Sequence, residues 1–196
     1  MWLLAAAAGL AALAHYEQVA GAVGKTPPHW PSDAGATLDP TRLTLLMFAH
    51  PRCPCTRASL EELNHLLSQC QGSITPHLVF FVPENNPADW LDTTLVQSAK
   101  AIPGLSVETD PAGARAKLFG AETSGYVVVY GPDQRLLFSG GITVSRGHAG
   151  DNAGISSILS LLTTRDTPAR QTRVFGCQLL DVNPLNPRAA SVCIKP

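Results

Sequence analysis

Residues 43–49 (LTLLMFA) form a short apolar run, and Cys53-Pro54-Cys55-Thr56 follows within four residues of its end. A short apolar run without polar alternation is the pattern of a strand buried on both faces. From Thr56 onward the period changes. Leu60, Leu63, Leu67 and Cys70 fall at i, i+3, i+7 and i+10, which places them on one face of a helix spanning 56–69. A strand covered on both sides requires layers above and below it, so this chain has to build an α/β sheet. Two sulfurs stand where that strand gives way to the helix. A helix N-terminus presents unpaired N–H groups and a partial positive charge, which favour a thiolate over a thiol. The thiolate is the form of cysteine that attacks disulfides and binds metals. Arg52 and Arg57 flank the pair and push in the same direction.

The remaining elements fit this architecture. Residues 77–82 (HLVFFV) read as a second buried strand. Asn86-Pro87 reads as the N-cap and first position of a helix from 88 to about 100. Asp110-Pro111 repeats the signal for a helix over 112–119, and Gly120 stops it. Residues 126–130 (YVVVY), a turn at 131–134 and residues 135–139 (RLLFS) form an antiparallel hairpin. A closing helix is expected over 151–162. The order β-α-β-α-(α)-β-β-α predicts a central mixed sheet flanked by helices. Beyond 165 the chain carries Pro168, Pro184, Pro187 and Pro196 and reads as an irregular strap across the surface.

At the other end, residues 2–14 (WLLAAAAGLAALA) are thirteen in number and uncharged, short of the ~20 that span a bilayer. With the small residues Ala20-Gly21-Ala22 behind them, they read as a signal peptide or an N-terminal membrane anchor. A buried Ala/Leu core helix is the alternative. The organisation expected is therefore 1–24 leader, 25–40 linker stiffened by Pro27, Pro28, Pro31 and Pro40, 41–164 folded domain, and 165–196 proline-rich extension. An exported, periplasmic or extracytoplasmic chain, tethered to the inner membrane by its N-terminus or released, can keep disulfides.

The stretch 48–63 (FAHPRCPCTRASLEEL) resembles the active-site segment of thioredoxin-like proteins, in particular the exported, membrane-tethered thiol–disulfide oxidoreductases of the TlpA/ResA kind. Their motif runs Trp-Cys-Pro-Pro-Cys-Arg-Ala-Glu on the same junction. Aligned without a gap, Cys53 takes the nucleophile position, and Pro54, Arg57, Ala58 and Leu63 match. Thr56 stands where the second motif cysteine belongs, Cys55 comes one residue early, and Arg52 replaces the tryptophan. Residues 110–140 resemble the family's helix, loop and hairpin, with Ser124-Gly125 at the place of its cis-proline. A hydrophobic N-terminus, the Cys-Pro-Cys site, 147–154 (GHAGDNAG) and 175–177 (FGC) are similar to RedB-like bacterial proteins. The resemblance implies a thioredoxin-like fold, catalysis by Cys53, Cys55 and Thr56, and substrate docking at Arg52, Pro54, Ser124 and Gly125. Protein thiols or disulfides would be the partners, and no cofactor is needed.

Several readings remain open for the sulfurs. A Cys-x-Cys disulfide closes a small ring across a proline, which favours reduction and an oxidising pair. In a monothiol mode, Cys53 attacks, Thr56 supports it by hydrogen bonding and a distant thiol resolves. As a metal site, His50, Cys53 and Cys55 offer a soft set for copper or zinc. A redox-silent interaction module is a third possibility. Cys70 continues the buried helix stripe as a core residue. Cys177 and Cys193 are the plainest disulfide, stabilising by roughly 3 kcal/mol; alternatively Cys177 is a resolving thiol laid over Cys53. His148, in 145–154, belongs to a loop capped by Asp151, and Trp30 and Trp90 read as structural or surface residues. With 14 Lys+Arg against 15 Asp+Glu, the chain lacks the basic face that nucleic acid requires. No Gly-x-Ser-x-Gly or His-Glu-x-x-His motif is present to support a hydrolase.

Overall fold

A computed structural model describes residues 1–70, 72–85, 88–163 and 170–180. Its elements in chain order are α1 (Trp2–Gln18), β1 (Leu43–Ala49), α2 (Thr56–Gln69), β2 (Ile74–Val82), α3 (Thr94–Lys100), β3 (Ser106–Pro111), α4 (Ala114–Phe119), β4 (Tyr126–Tyr130), β5 (Leu136–Gly140), α5 (Ala153–Leu161) and β6 (Arg170–Gln171). They build one six-stranded sheet in the order β3-β2-β1-β4-β5-β6. Strands β1, β2 and β3 are parallel, β4 runs antiparallel to both β1 and β5, and β6 adds parallel to β5.

Strand β1 is buried along its whole length, and its alternating side chains feed two cores. Leu45 and Met47 pack with Leu60, Leu63 and Leu66 of α2 and with Ile155, Ile158 and Leu161 of α5. Leu46 and Phe48 face the opposite layer, where Phe119 of α4, Tyr130, Val174 and Leu179 gather. Each fully buried side chain of this size contributes about 1.5–3 kcal/mol. The two-sided covering holds β1 rigid up to Ala49, and that fixes the start of the loop leading to the sulfurs.

Four local expectations change. The strand β3 has the polar sequence SVETDP, unreadable by apolar pattern because it lies at the sheet edge and buries only Asp110. Helix α3 begins at Thr94 instead of 88; Thr93 Oγ1 accepts from Val96 N at 3.2 Å, whereas 88–91 form turns. Asn86 and Pro87 lie outside the described residues. Asp110 does serve α4, its carboxylate accepting from Arg115 N and Ala116 N at 2.9 Å each, but across a turn in which Gly113 takes φ 66°. Asn152, not Asp151, caps α5, with Oδ1 accepting from Ile155 N at 2.9 Å.

The two ends also differ from expectation. Helix α1 buries no residue, which rules out the core-helix alternative, and among the described residues no helix is long and apolar enough to cross a membrane. The segment after β6 is more than a surface strap: Val174, Phe175, Leu179 and Leu180 are buried. Residues 164–169 and 181–196 lie outside the described part of the chain.

Candidate functional site

Beyond Ala49 the chain turns through His50-Pro51-Arg52, and Cys53 N donates to His50 O at 3.2 Å. Thr56 N returns to Cys53 O at 3.0 Å, and Cys55 is the N-cap residue of α2. Cys53 is fully buried, Cys55 half-buried and Pro54 exposed. The helix therefore opens toward the two sulfurs as its sequence implies.

A third sulfur completes the site from far along the chain. Cys177 Sγ lies 2.8 Å from Cys53 Sγ, and the sulfurs of Cys53, Cys55 and Cys177 all lie within 4.8 Å of one another. Cys53 is held well below the ordinary thiol value, first by its hydrogen bond with Cys177 and next by that with Cys55, which together outweigh burial. Cys55 is drawn down by its bond with Cys177, but its bond to Cys53, burial and the Cys53 charge prevail and push it up to about 11. Cys177 is pushed up by giving its proton toward Cys53, then toward Cys55, and by burial. Cys53 is thus the thiol that loses its proton most readily, while Cys55 and Cys177 are pushed to keep theirs. Arg146 also acts on Cys55, its positive charge favouring the thiolate there. Arg52 pairs with Asp89 at 3.0 Å and lies 4.7 Å over the Trp90 ring.

The other expected site residues form the floor. Ser124 Oγ, buried, accepts from His50 N at 2.9 Å and meets Thr56 Oγ1 at 3.0 Å. Thr56 Oγ1 donates to His50 O at 3.3 Å, so its hydroxyl serves the loop backbone and not the Cys53 sulfur. Gly125 N donates to Phe48 O at 2.8 Å with φ 91°, and a Cβ there would stand 2.8 Å from Ser59 Oγ. His50 Nδ1 accepts from Arg52 N at 3.1 Å, and its ring stacks on Phe81 and meets Trp90 edge-on. His50 is not among the three mutually close metal-capable groups; Cys177 takes that third place. The expected Cys177–Cys193 pairing falls on Cys193, outside the described residues.

Two participants escaped the sequence. Arg146, in the same 145–154 loop as His148, donates through Nη1 to Gly176 O and lies 5.0 Å over the Tyr16 ring. Trp90 stands beside His50 and Arg52, with Nε1 donating to Phe81 O at 2.8 Å. No motif marks either one.

No protein-family model matches the sequence, and no curated protein matches it. Among solved structures, an uncharacterized conserved protein from Geobacillus kaustophilus superposes with a TM-score of 0.61 at 18% identity, covering 81% of this chain and 92% of that one. A hypothetical protein from Sinorhizobium meliloti does so at 0.58 and 19%, covering 82% and 95%. A secreted Mycobacterium tuberculosis disulfide oxidoreductase overlaps more loosely, at 0.44 and 17%, covering 76% and 97%. At these identities the likeness is one of fold. The topology decides which fold. A parallel β1-α2-β2 unit lies beside an antiparallel β4-β5 hairpin and a closing helix, with β1 and β4 adjacent and the strand–helix junction at mid-sheet. The fold is thioredoxin-like. In this thioredoxin-like chain, the sulfurs occupy the end of the central strand, where side chains from several segments converge.

Proposed function

We propose that this protein is a thiol–disulfide oxidoreductase acting through Cys53 on protein thiols or disulfides. One observation carries the reading: a buried sulfur at the N-terminal end of α2 has two further sulfurs within 4.8 Å. Three thiols in contact can pass one disulfide among themselves. The charge distribution supports it too, since the nucleophile must be the thiolate while its neighbours keep their protons. Cys55 and Thr56 belong to the same machinery, one as a second sulfur and the other as support for the loop that carries Cys53. Arg52 and Pro54, exposed beside the site, and Ser124 and Gly125, beneath it, are the docking residues. We place the protein outside the cytoplasm, with residues 1–24 as leader or anchor, a reading supported by the largely apolar α1, none of whose residues is buried.

An insulin-reduction assay on wild type and Cys53→Ser tests this. Activity confined to the wild type is expected; equal activity in both defeats the assignment and leaves an interaction module.

The same cluster favours a second reading. Three soft sulfurs at this spacing suit Cu(I) or zinc, whose bonds to sulfur are about 2.3 Å for zinc. One equivalent of metal retained through purification, and lost in both Cys55→Ser and Cys177→Ser, would establish it.

A further inference from the structure

Cys55 and Cys177 both lie within reach of Cys53, but they are held differently. Only Pro54 separates Cys55 from Cys53, and its fixed φ stiffens the small ring that a bond between them would close. Cys177 comes from 124 residues away, and no short ring constrains its approach to Cys53. Its segment is laid against the site by backbone pairing. Ser124 N donates to Cys177 O at 2.9 Å, Leu179 N donates to Glu122 O at 2.8 Å, and Thr123 and Gln178 form an antiparallel bridge. Gly176 permits the approach, since a Cβ there would stand 2.0 Å from Ser124 O. Val174 on one side and Leu179 and Leu180 on the other are buried in the core, so the segment is anchored at both ends of the thiol it delivers.

We propose that Cys177 is the resolving cysteine, delivered by residues 174–180, and that the working redox couple is Cys53–Cys177 and not Cys53–Cys55. The proposal rests on the oxidoreductase reading above. Reduction of a substrate runs in two exchanges. The Cys53 thiolate attacks one sulfur of the substrate disulfide; that S–S bond breaks, the other substrate sulfur leaves as a thiolate and takes up a proton, and Cys53 is left in a mixed disulfide. Cys177 loses its proton to solvent and attacks Cys53 Sγ. The mixed disulfide breaks, the second substrate sulfur leaves and is protonated, and a Cys53–Cys177 disulfide remains. Two electrons have passed from the two cysteines to the substrate, and an external dithiol restores the thiols. Because Cys53 is fully buried beneath Cys177, the substrate disulfide gains access when the Cys177 stretch lifts. Oxidation then ties that stretch down covalently.

The test is peptide mass mapping after acid quenching of reduced full-length protein exposed to a sub-stoichiometric amount of oxidised glutathione. Wild type is expected to yield a Cys53–Cys177 link, and Cys55→Ser the same link. Cys177→Ser is expected to retain glutathione on Cys53, with its release slowed at least about tenfold. The wild-type map needs no variant to fold. A Cys53–Cys55 link, a Cys177–Cys193 link, or prompt loss of glutathione from Cys53 in Cys177→Ser overturns the proposal while leaving the oxidoreductase reading standing. Absence of any modification at Cys53 removes that reading as well. Gly176→Ala supplies an independent check. Crowding Ser124 O should displace the segment and raise the rate of Cys53 alkylation, and an unchanged rate contradicts the delivery role.

Discussion

Helix α2 has cysteines at both ends. Cys53 and Cys55 precede its first turn, and Cys70 closes its last, with its N–H bonded to Leu66 O and Leu67 O. Both Cys53 and Cys70 are buried, yet their thiols are pushed in opposite directions. Burial alone raises Cys70, which sits in the core cluster with Leu66 and Ile74. At Cys53 burial is present as well, but the two S–H donors overcome it. The comparison separates two effects that a sequence motif merges. Being buried makes a thiol inert; being buried against donors makes it a thiolate.

The largest effect should come from removing each sulfur in turn. Cys53→Ser should take disulfide reduction to the uncatalysed background, while Cys70→Ala should retain it; an insulin-turbidity assay compares the two, and equal loss would end the distinction. A pH series sharpens it next. The folded value of Cys53 is depressed, so its contribution to stability is fully present above the unfolded thiol value of about 8.5 and is lost as pH falls through its folded value. Cys55 and Cys177 are raised, so theirs is present below that value and is lost as pH rises through their folded values. Under reducing conditions, the stability of wild type relative to Cys53→Ser should therefore climb from acid toward mildly alkaline pH and then decline. Urea titrations across pH measure this, and a flat profile would show that the three thiols share no charge.

Ser124→Ala should cost about 1–3 kcal/mol in the same urea experiment, because the part-buried His50 N–H loses its acceptor and Thr56 Oγ1 loses one of its two partners. Native-state alkylation of Cys70 should not change. The smallest effect is expected at Cys70 itself. Cys70→Ala removes one sulfur from a packed core and should cost on the order of 1 kcal/mol, read as a shift in denaturation midpoint, with activity intact.

The apolar run of β1, the helical stripe of α2 and the YVVVY strand were legible in the sequence because each encodes its own burial within a few residues. The edge strand β3 was not, since a strand with one unpaired edge has little need of apolar side chains. Neither was the start of α3, where Thr93 does the capping that Asn86 had signalled earlier in the chain. Within the site, the place of Cys53 and Cys55 at a helix N-terminus was readable; the hydroxyl of Thr56 turning to His50 and Ser124, and the guanidinium of Arg146, were not.

By itself, the sequence determined an α/β chain with two sulfurs where the central strand passes into a helix. That is information carried by neighbours in the chain. The tertiary structure alone decided which third sulfur joins them and therefore which thiol is pushed toward ionisation. Cys177 reaches Cys53 because Gly176 lets its backbone close on Ser124 O and because Val174, Leu179 and Leu180 are buried on either side. Such a meeting depends on burial and close approach between segments 124 residues apart, and no local periodicity records it.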